Sequence, residues 1–283
     1  MAYAKDVLVS TEWVAEHAND AGVVVAEVDE DPGLYGEGHV PGAVSLHWKD
    51  ELQQPIVRDV IEQDEFERLM AAKGIGNDTT VVLYGDKNNW FAAYAYWYLK
   101  LYGHEDVRIM DGGRQKWIDE GRELTTDVPP ARDASYRARP LDESLRASRA
   151  DVERILERDG EVLIDVRSPK EYSGELIAMP GYEQEGAQRG GHIPGARNVP
   201  WAQAVRDDGT FKDADELREL YAANGVVGDV PVTAYCRIGE RSSHTWFVLR
   251  ELLGRDRVRN YDGSWTEWGN LVRAPIVKGS QPS

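Results

Sequence analysis

The chain has 283 residues, of which 41% are hydrophobic and 29% charged, a balance that excludes disordered and collagen-like chains and, at about 150 residues per domain, points to two domains. Its net charge of -17 repels polyanions, so neither nucleic acid nor an anionic membrane is an expected partner. A single cysteine excludes an intramolecular disulfide, a CxxC redox pair and a multi-cysteine zinc site, and no metal or cofactor is expected. No stretch approaches the ~20 apolar residues of a membrane span, and the opening MAYAKDVLVSTEW lacks an apolar core followed by a cleavage site, so a cytoplasmic protein with small partners is expected.

Taken in chain order, the sequence is one unit written twice. VSTEWVAEH begins a helix with Ser10 as its N-cap, and ASRADVERI begins another with Ser148, where Asp151 makes a shortened capping box. The apolar run Val23 to Asp29 and its match Glu161 to Arg167 read as buried strands ending in polar residues. GHVPGA from Gly38 matches GHIPGA from Gly191, the second preceded by an inserted, loop-like stretch GELIAMPGYEQEGAQRG. DEFERLMAAKGI then matches DELRELYAANGV as an amphipathic helix, Trp48 matches Trp201, Tyr84 matches Tyr235, Asp111-Gly112 matches Asp262-Gly263, and Trp117 matches Trp268.

The repeats imply residues 1–124 as a first domain and 145–283 as a second. Between them TTDVPPARDASYRARPLDES, residues 125–144, reads as a linker because prolines and mixed charges break its periodicity. Within each repeat β-branched runs such as TTVVLY and VPVTAY alternate with helical stretches, which predicts an α/β fold: a parallel sheet with helices on both faces in each domain.

The halves agree on scaffold and disagree in one loop. After TTVVLY the first repeat continues Gly85-Asp86-Lys87-Asn88-Asn89-Trp90, with no nucleophile; after VPVTAY the second continues Cys236-Arg237-Ile238-Gly239-Glu240-Arg241-Ser242. The lone cysteine thus precedes a helix, whose N-terminal N–H groups and partial positive charge favour an anion. With Arg237 and Arg241 beside it the thiol is expected to ionise more readily than a free cysteine. Gly239 suits a tight loop or close backbone approach to a ligand. Glu240 would oppose the thiolate if it pointed inward, so its carboxylate is expected in solvent or on an arginine.

The order Cys236, Gly239, Arg241, Ser242 (Cys-x-x-Gly-x-Arg-Ser) resembles the active loop of the rhodanese-type sulfurtransferases, and the GHVPGA, GHIPGA and Asp-Gly-Gly/Ser-x-x-x-Trp segments are similar to that family's other recurring features. A silent first repeat and a reactive second resemble the tandem-domain thiosulfate and 3-mercaptopyruvate sulfurtransferases. The resemblance implies two rhodanese-like domains and a persulfide carried by Cys236. It implies a substrate-binding loop of Arg237, Ile238, Gly239, Glu240, Arg241 and Ser242, with Arg241 on a small anionic donor, Arg237 assisting and Arg189 also facing the site. An external thiol or cyanide then takes the sulfur. Thiosulfate is the favoured donor and 3-mercaptopyruvate the alternative. His39 and His192 recur in both halves and read as turn-stabilising, Asp165 and Arg167 as structural, and Trp265, whose counterpart is Arg114, as a candidate to line the cleft. A cysteine-dependent phosphatase or arsenate reductase is disfavoured because four residues, not five, separate Cys236 from Arg241. A non-catalytic sulfur-binding module is disfavoured by the intact second loop.

Overall fold

The computed structural model describes residues 2–158, 160–182 and 186–282. They form two compact units. The first comprises Asp6–Asp142 with Val205–Phe211, and the second the residues up to Lys5, Glu143–Ala204 and Lys212 onward.

In the first unit the strands are β1 (Leu8–Val9), β2 (Val23–Glu27), β3 (Val44–Ser45), β4 (Thr80–Tyr84) and β5 (Val107–Met110), in the order β1-β5-β4-β2-β3 and all parallel. The β-branched runs VVVAE and TVVLY sit at its centre because strands covered on both faces need no polar alternation. Since successive side chains point to opposite faces, Val23, Val25, Val82 and Tyr84 pack with Val14 and Trp117 from the helices Thr11–His17 and Gly113–Asp119. The other face carries the helix Trp90–Leu101, buried at every position except Lys100, as a helix apolar on all sides must be.

The second unit repeats the plan with β6 (Val162–Asp165), β7 (Arg197–Asn198), β8 (Val232–Tyr235) and β9 (Val258–Tyr261), parallel in the order β7-β6-β8-β9. Ser148 caps the helix Arg149–Glu157 in a box completed by Asp151, as the sequence indicates. On one face Val152, Leu163, Tyr235, Tyr261, Trp265 and Trp268 form the core, and the helix Glu240–Phe247 lies against β8 and β9.

Two segments differ from the sequence reading. Residues 125–142 are not a free linker: Thr125 pairs with His39 in an antiparallel bridge, Arg132 donates to Val23 O (2.6 Å), and Tyr136 stacks on His104. The bridge has its counterpart at the other end of the chain, where His192 pairs with Val277, so Thr125 belongs to the repeat. Val205–Phe211 is counted with the first unit because Phe211 N donates to Asp111 Oδ1 (2.9 Å) and Asp208 meets Lys116 (3.0 Å).

Candidate active site

Cys236 follows β8 directly, and the next residues turn into the helix Glu240–Phe247. Gly239 is the N-cap with φ of 102°, and a Cβ there would lie 2.7 Å from Asp262 Cβ, so both conformation and space demand glycine. Its N–H donates to Cys236 Sγ at 3.1 Å. The cysteine's own N–H donates to Ser264 Oγ (3.0 Å), while Trp265 N–H donates to Cys236 O (3.1 Å). Every side chain from Glu240 to Phe247 is buried. Uncompensated burial of polar groups costs several kcal/mol, and the two serines of the polar run ERSSHT are held by partners. Ser243 Oγ (2.8 Å) and Asn260 Nδ2 (3.1 Å) donate to Gly239 O, and Ser242 Oγ donates to Asn260 Oδ1 (2.6 Å).

The charges are arranged in a chain. Arg241 donates from both terminal nitrogens to Glu171 at 3.1 Å each, and one of them lies 3.4 Å from Met179 Sδ. Glu240 turns inward: Cys236 Sγ donates to its Oε2 at 3.2 Å, and its Oε1 lies 3.6 Å from Arg237 Nη2 and 3.8 Å from Arg241 Nε. Arg237 lies over the Tyr182 ring, 4.5 Å from its centroid. Burial alone would raise the Glu171 carboxyl, but Arg241's charge and its paired hydrogen bonds overcome that and hold it at about 2. Burial pushes the Cys236 thiol up, the Glu240 charge pushes it further, and Arg241 only partly opposes them.

The sequence expectation of a thiol that ionises more readily is therefore corrected, because full burial and an inward carboxylate outweigh the helix end and the arginines. Of the two places expected for the Glu240 carboxylate, solvent is corrected by its burial, whereas the arginine arm is met by Arg237 at 3.6 Å and Arg241 at 3.8 Å. The structure brings together Cys236, Arg237, Gly239, Glu240, Arg241 and Ser242, with Ile238 buried in the same loop. It does not turn Arg189 to the site. Its guanidinium donates to the carbonyls of Trp268, Gly269, Leu271 and Ala274, which makes it a clamp on the C-terminal segment. Trp265 does not line a cleft: it is buried under the Arg167 guanidinium (4.4 Å to its ring centroid) and donates to Arg189 O. Arg167 in turn is paired with Asp165 (2.5 Å), and His39 and His192 each donate from Nδ1, to Tyr35 O and Tyr172 O, in the turns that the sequence assigns them.

Sequence reasoning missed Glu171, Met179, Tyr182, Asn260 and Ser264. For two of them the repeat itself holds the signal. Asn260 stands on β9 where the first repeat has Ile109, and Ser264 stands where it has Gly113. Ser264 keeps the left-handed conformation of that glycine, with φ of 52° against 60°, at a strain of ~1–3 kcal/mol, and its hydroxyl receives the Cys236 N–H.

The chain is thus a paired α/β scaffold that carries, in one copy, a lone cysteine in the loop before a helix. Residues 10–120 and 148–271 both match the model of the rhodanese-like domain. The chain belongs to the rhodanese family and is a rhodanese-like sulfurtransferase with two such domains in tandem. It is similar to the sulfur carrier protein TtuD of Thermus thermophilus, 59% identical over 99% of this chain and 100% of that one. Two proteins provisionally named thiosulfate sulfurtransferase are also similar, from Saccharopolyspora erythraea (56% identical, 96% of each chain) and Haloferax volcanii (54%, 98% of each). Among solved structures, EanB holding a cysteine persulfide in a tetrahedral intermediate state with ergothioneine superposes with a TM-score of 0.82 at 27% identity, over 96% of this chain and 70% of that one.

Proposed function

We propose that the second domain moves a sulfane sulfur from thiosulfate to cyanide or a thiol through a persulfide on Cys236. The observation that carries this reading is the placement of the only thiol at a helix start, with Gly239 N–H on its sulfur and two arginines, Arg237 and Arg241, on the carboxylate that it touches. In the first step the Cys236 thiolate forms a bond to the outer sulfur of thiosulfate, and the donor's S–S bond breaks with its electron pair leaving on sulfite. In the second an acceptor's lone pair takes that sulfur and returns the thiolate. The donor is a small anion and the acceptor comes from outside the chain, since a second cysteine to resolve the persulfide is absent from the sequence. No nucleic acid or membrane takes part, given a net charge of -17. A free thiol of this kind suits the reducing cytoplasm.

A second reading concerns the acceptor alone. The name of the Thermus relative as a sulfur carrier protein favours an acceptor that receives the sulfur for onward use over cyanide. Kinetics with thiosulfate and cyanide, run beside 3-mercaptopyruvate and beside Cys236→Ser, test the proposal. The expected result is turnover with thiosulfate that Cys236→Ser abolishes. Turnover with 3-mercaptopyruvate alone would replace the donor, and turnover surviving in Cys236→Ser would overturn the reading.

A further inference from the structure

A buried thiol must lose its proton before it attacks, and the proton needs a receiver within the site. Cys236 and Glu240 are both buried, and the sulfur donates to Glu240 Oε2 at 3.2 Å. We propose that Glu240 is the catalytic proton acceptor of Cys236, so that thiol and carboxyl share one proton and only one of the pair is negative at a time. The inference rests on the reading of Cys236 as the sulfur-accepting nucleophile.

Three observations support it. First, two negative charges this close in a dry site repel strongly, and the carboxylate's charge is the obstacle to a thiolate. Moving the proton to Glu240 removes that charge. What then faces the sulfur is the Gly239 N–H at 3.1 Å and the nearby Arg241, both of which favour thiolate. Second, the Glu240 carboxylate is not consumed by a tight ion pair. Its Oε1 has no hydrogen bond among the described residues and stands 3.6–3.8 Å from the arginines, whereas Glu171 holds Arg241 through two bonds of 3.1 Å. Third, the matching residue of the silent repeat is Asn89, whose amide is engaged by Gly85 N–H (2.9 Å) and Met110 O (2.8 Å). An amide there cannot take a proton. The carboxylate occurs in the copy with the cysteine and turns to the sulfur.

The steps balance without an added oxidant or base. The Cys236 S–H bond breaks and its proton goes to Glu240 Oε2. The thiolate pair bonds to the outer sulfur of thiosulfate, and sulfite leaves as the dianion. Glu240, now neutral, stays against the persulfide anion and donates a hydrogen bond to it. When the acceptor removes the outer sulfur, the thiolate recovers the proton from Glu240 and the carboxylate is restored.

The test uses the full chain as wild type, Glu240→Gln and Glu240→Asp, with thermal unfolding confirming that each is folded. Single-turnover persulfide formation with thiosulfate and alkylation by neutral iodoacetamide are followed across pH. Glu240→Gln is expected to slow both at neutral pH by tenfold or more and to recover as alkali takes over removal of the thiol proton; Glu240→Asp is expected to fall between. If Glu240→Gln reacts at neutral pH as fast as wild type, or faster, with either reagent that labels the wild type, the carboxylate is only a charge that suppresses the thiolate, and the proposal is overturned. If alkylation follows the expected pattern while thiosulfate deposits no sulfur, Glu240 keeps its role and the sulfur-transfer reading fails instead.

Discussion

Arg241 serves two ends that a single substitution would confound. Its guanidinium neutralises the buried Glu171 through two 3.1 Å bonds and also lies within 3.8 Å of Glu240. Removing it leaves a buried carboxylate without its partner, a loss on the order of 3–5 kcal/mol, and removes the cation best placed to favour thiolate. Arg241→Ala is therefore expected to lower the unfolding temperature and to reduce kcat/KM for thiosulfate about tenfold or more. Arg241→Ala combined with Glu171→Gln should regain stability and not turnover. Recovery of kcat/KM in that double variant would show that Arg241 acts only through folding. The same pair sets an acid limit. Because the folded Glu171 carboxyl lies at about 2, below its unfolded value, its contribution to stability is full above the ordinary glutamate range and is lost as pH falls from there towards 2. Acid unfolding monitored by circular dichroism should show a shallower limb in Glu171→Gln, and an unchanged limb would mean that the pair does not govern acid stability. The Cys236 thiol works in the opposite sense: its raised value favours the folded state at low pH, a contribution lost as pH rises through it.

At the scale of elements, the two loops and the helices after them show how one scaffold accommodates two different sequences. Trp90-Phe91-Ala92-Ala93-Tyr94-Ala95 occupies in the first repeat the positions of Arg241-Ser242-Ser243-His244-Thr245-Trp246 in the second. Both helices are buried. The first is stabilised by apolar contact, while the second exchanges apolar area for a hydrogen-bonded polar start that supports Gly239 and the sulfur. The silent loop is also closed to repair. A Cβ at Gly85 would lie 2.1 Å from Val28 O and 2.9 Å from its carbonyl carbon, a main-chain clash that no rotamer relieves. Gly85→Cys is expected to destabilise the protein by ~1–3 kcal/mol, as overpacking does, and, in a Cys236→Ser background, to form no persulfide. Thermal unfolding with single-turnover sulfur loading checks both, and near-wild-type loading would mean that any thiol at this turn is sufficient.

Over the whole molecule, the duplication, the parallel α/β plan and the one loop in which the copies differ were legible because each is written as local pattern: matched strands and turns, capping residues, and a cysteine where the other copy has glycine. Less legible was whatever depends on the third dimension. Glu171 closes a capping box with Ser168, and its carboxylate also reaches across the fold to Arg241. Arg189 precedes GHIPGA and so invites a role at the site, whereas the segment from Trp268 to Ala274 supplies four carbonyls that satisfy it better. Residues 125–142 are rich in proline and charge, and they are ordered by bonds to Val23, Tyr102 and His39 that no local pattern announces. The raised thiol is the same lesson in electrostatics. Flanking arginines are visible in the sequence, but burial of the thiol first, and the inward glutamate after it, outweigh them.

The central claim, that Cys236 carries the transferred sulfur, is tested most directly by mass spectrometry of the intact chain and its peptides after exposure to thiosulfate without reductant. The mass is expected to rise by one sulfur atom, with the label on the peptide containing Cys236, removed by cyanide and absent from Cys236→Ser. A wild-type chain that gains no sulfur, or gains it on any other peptide, would contradict it.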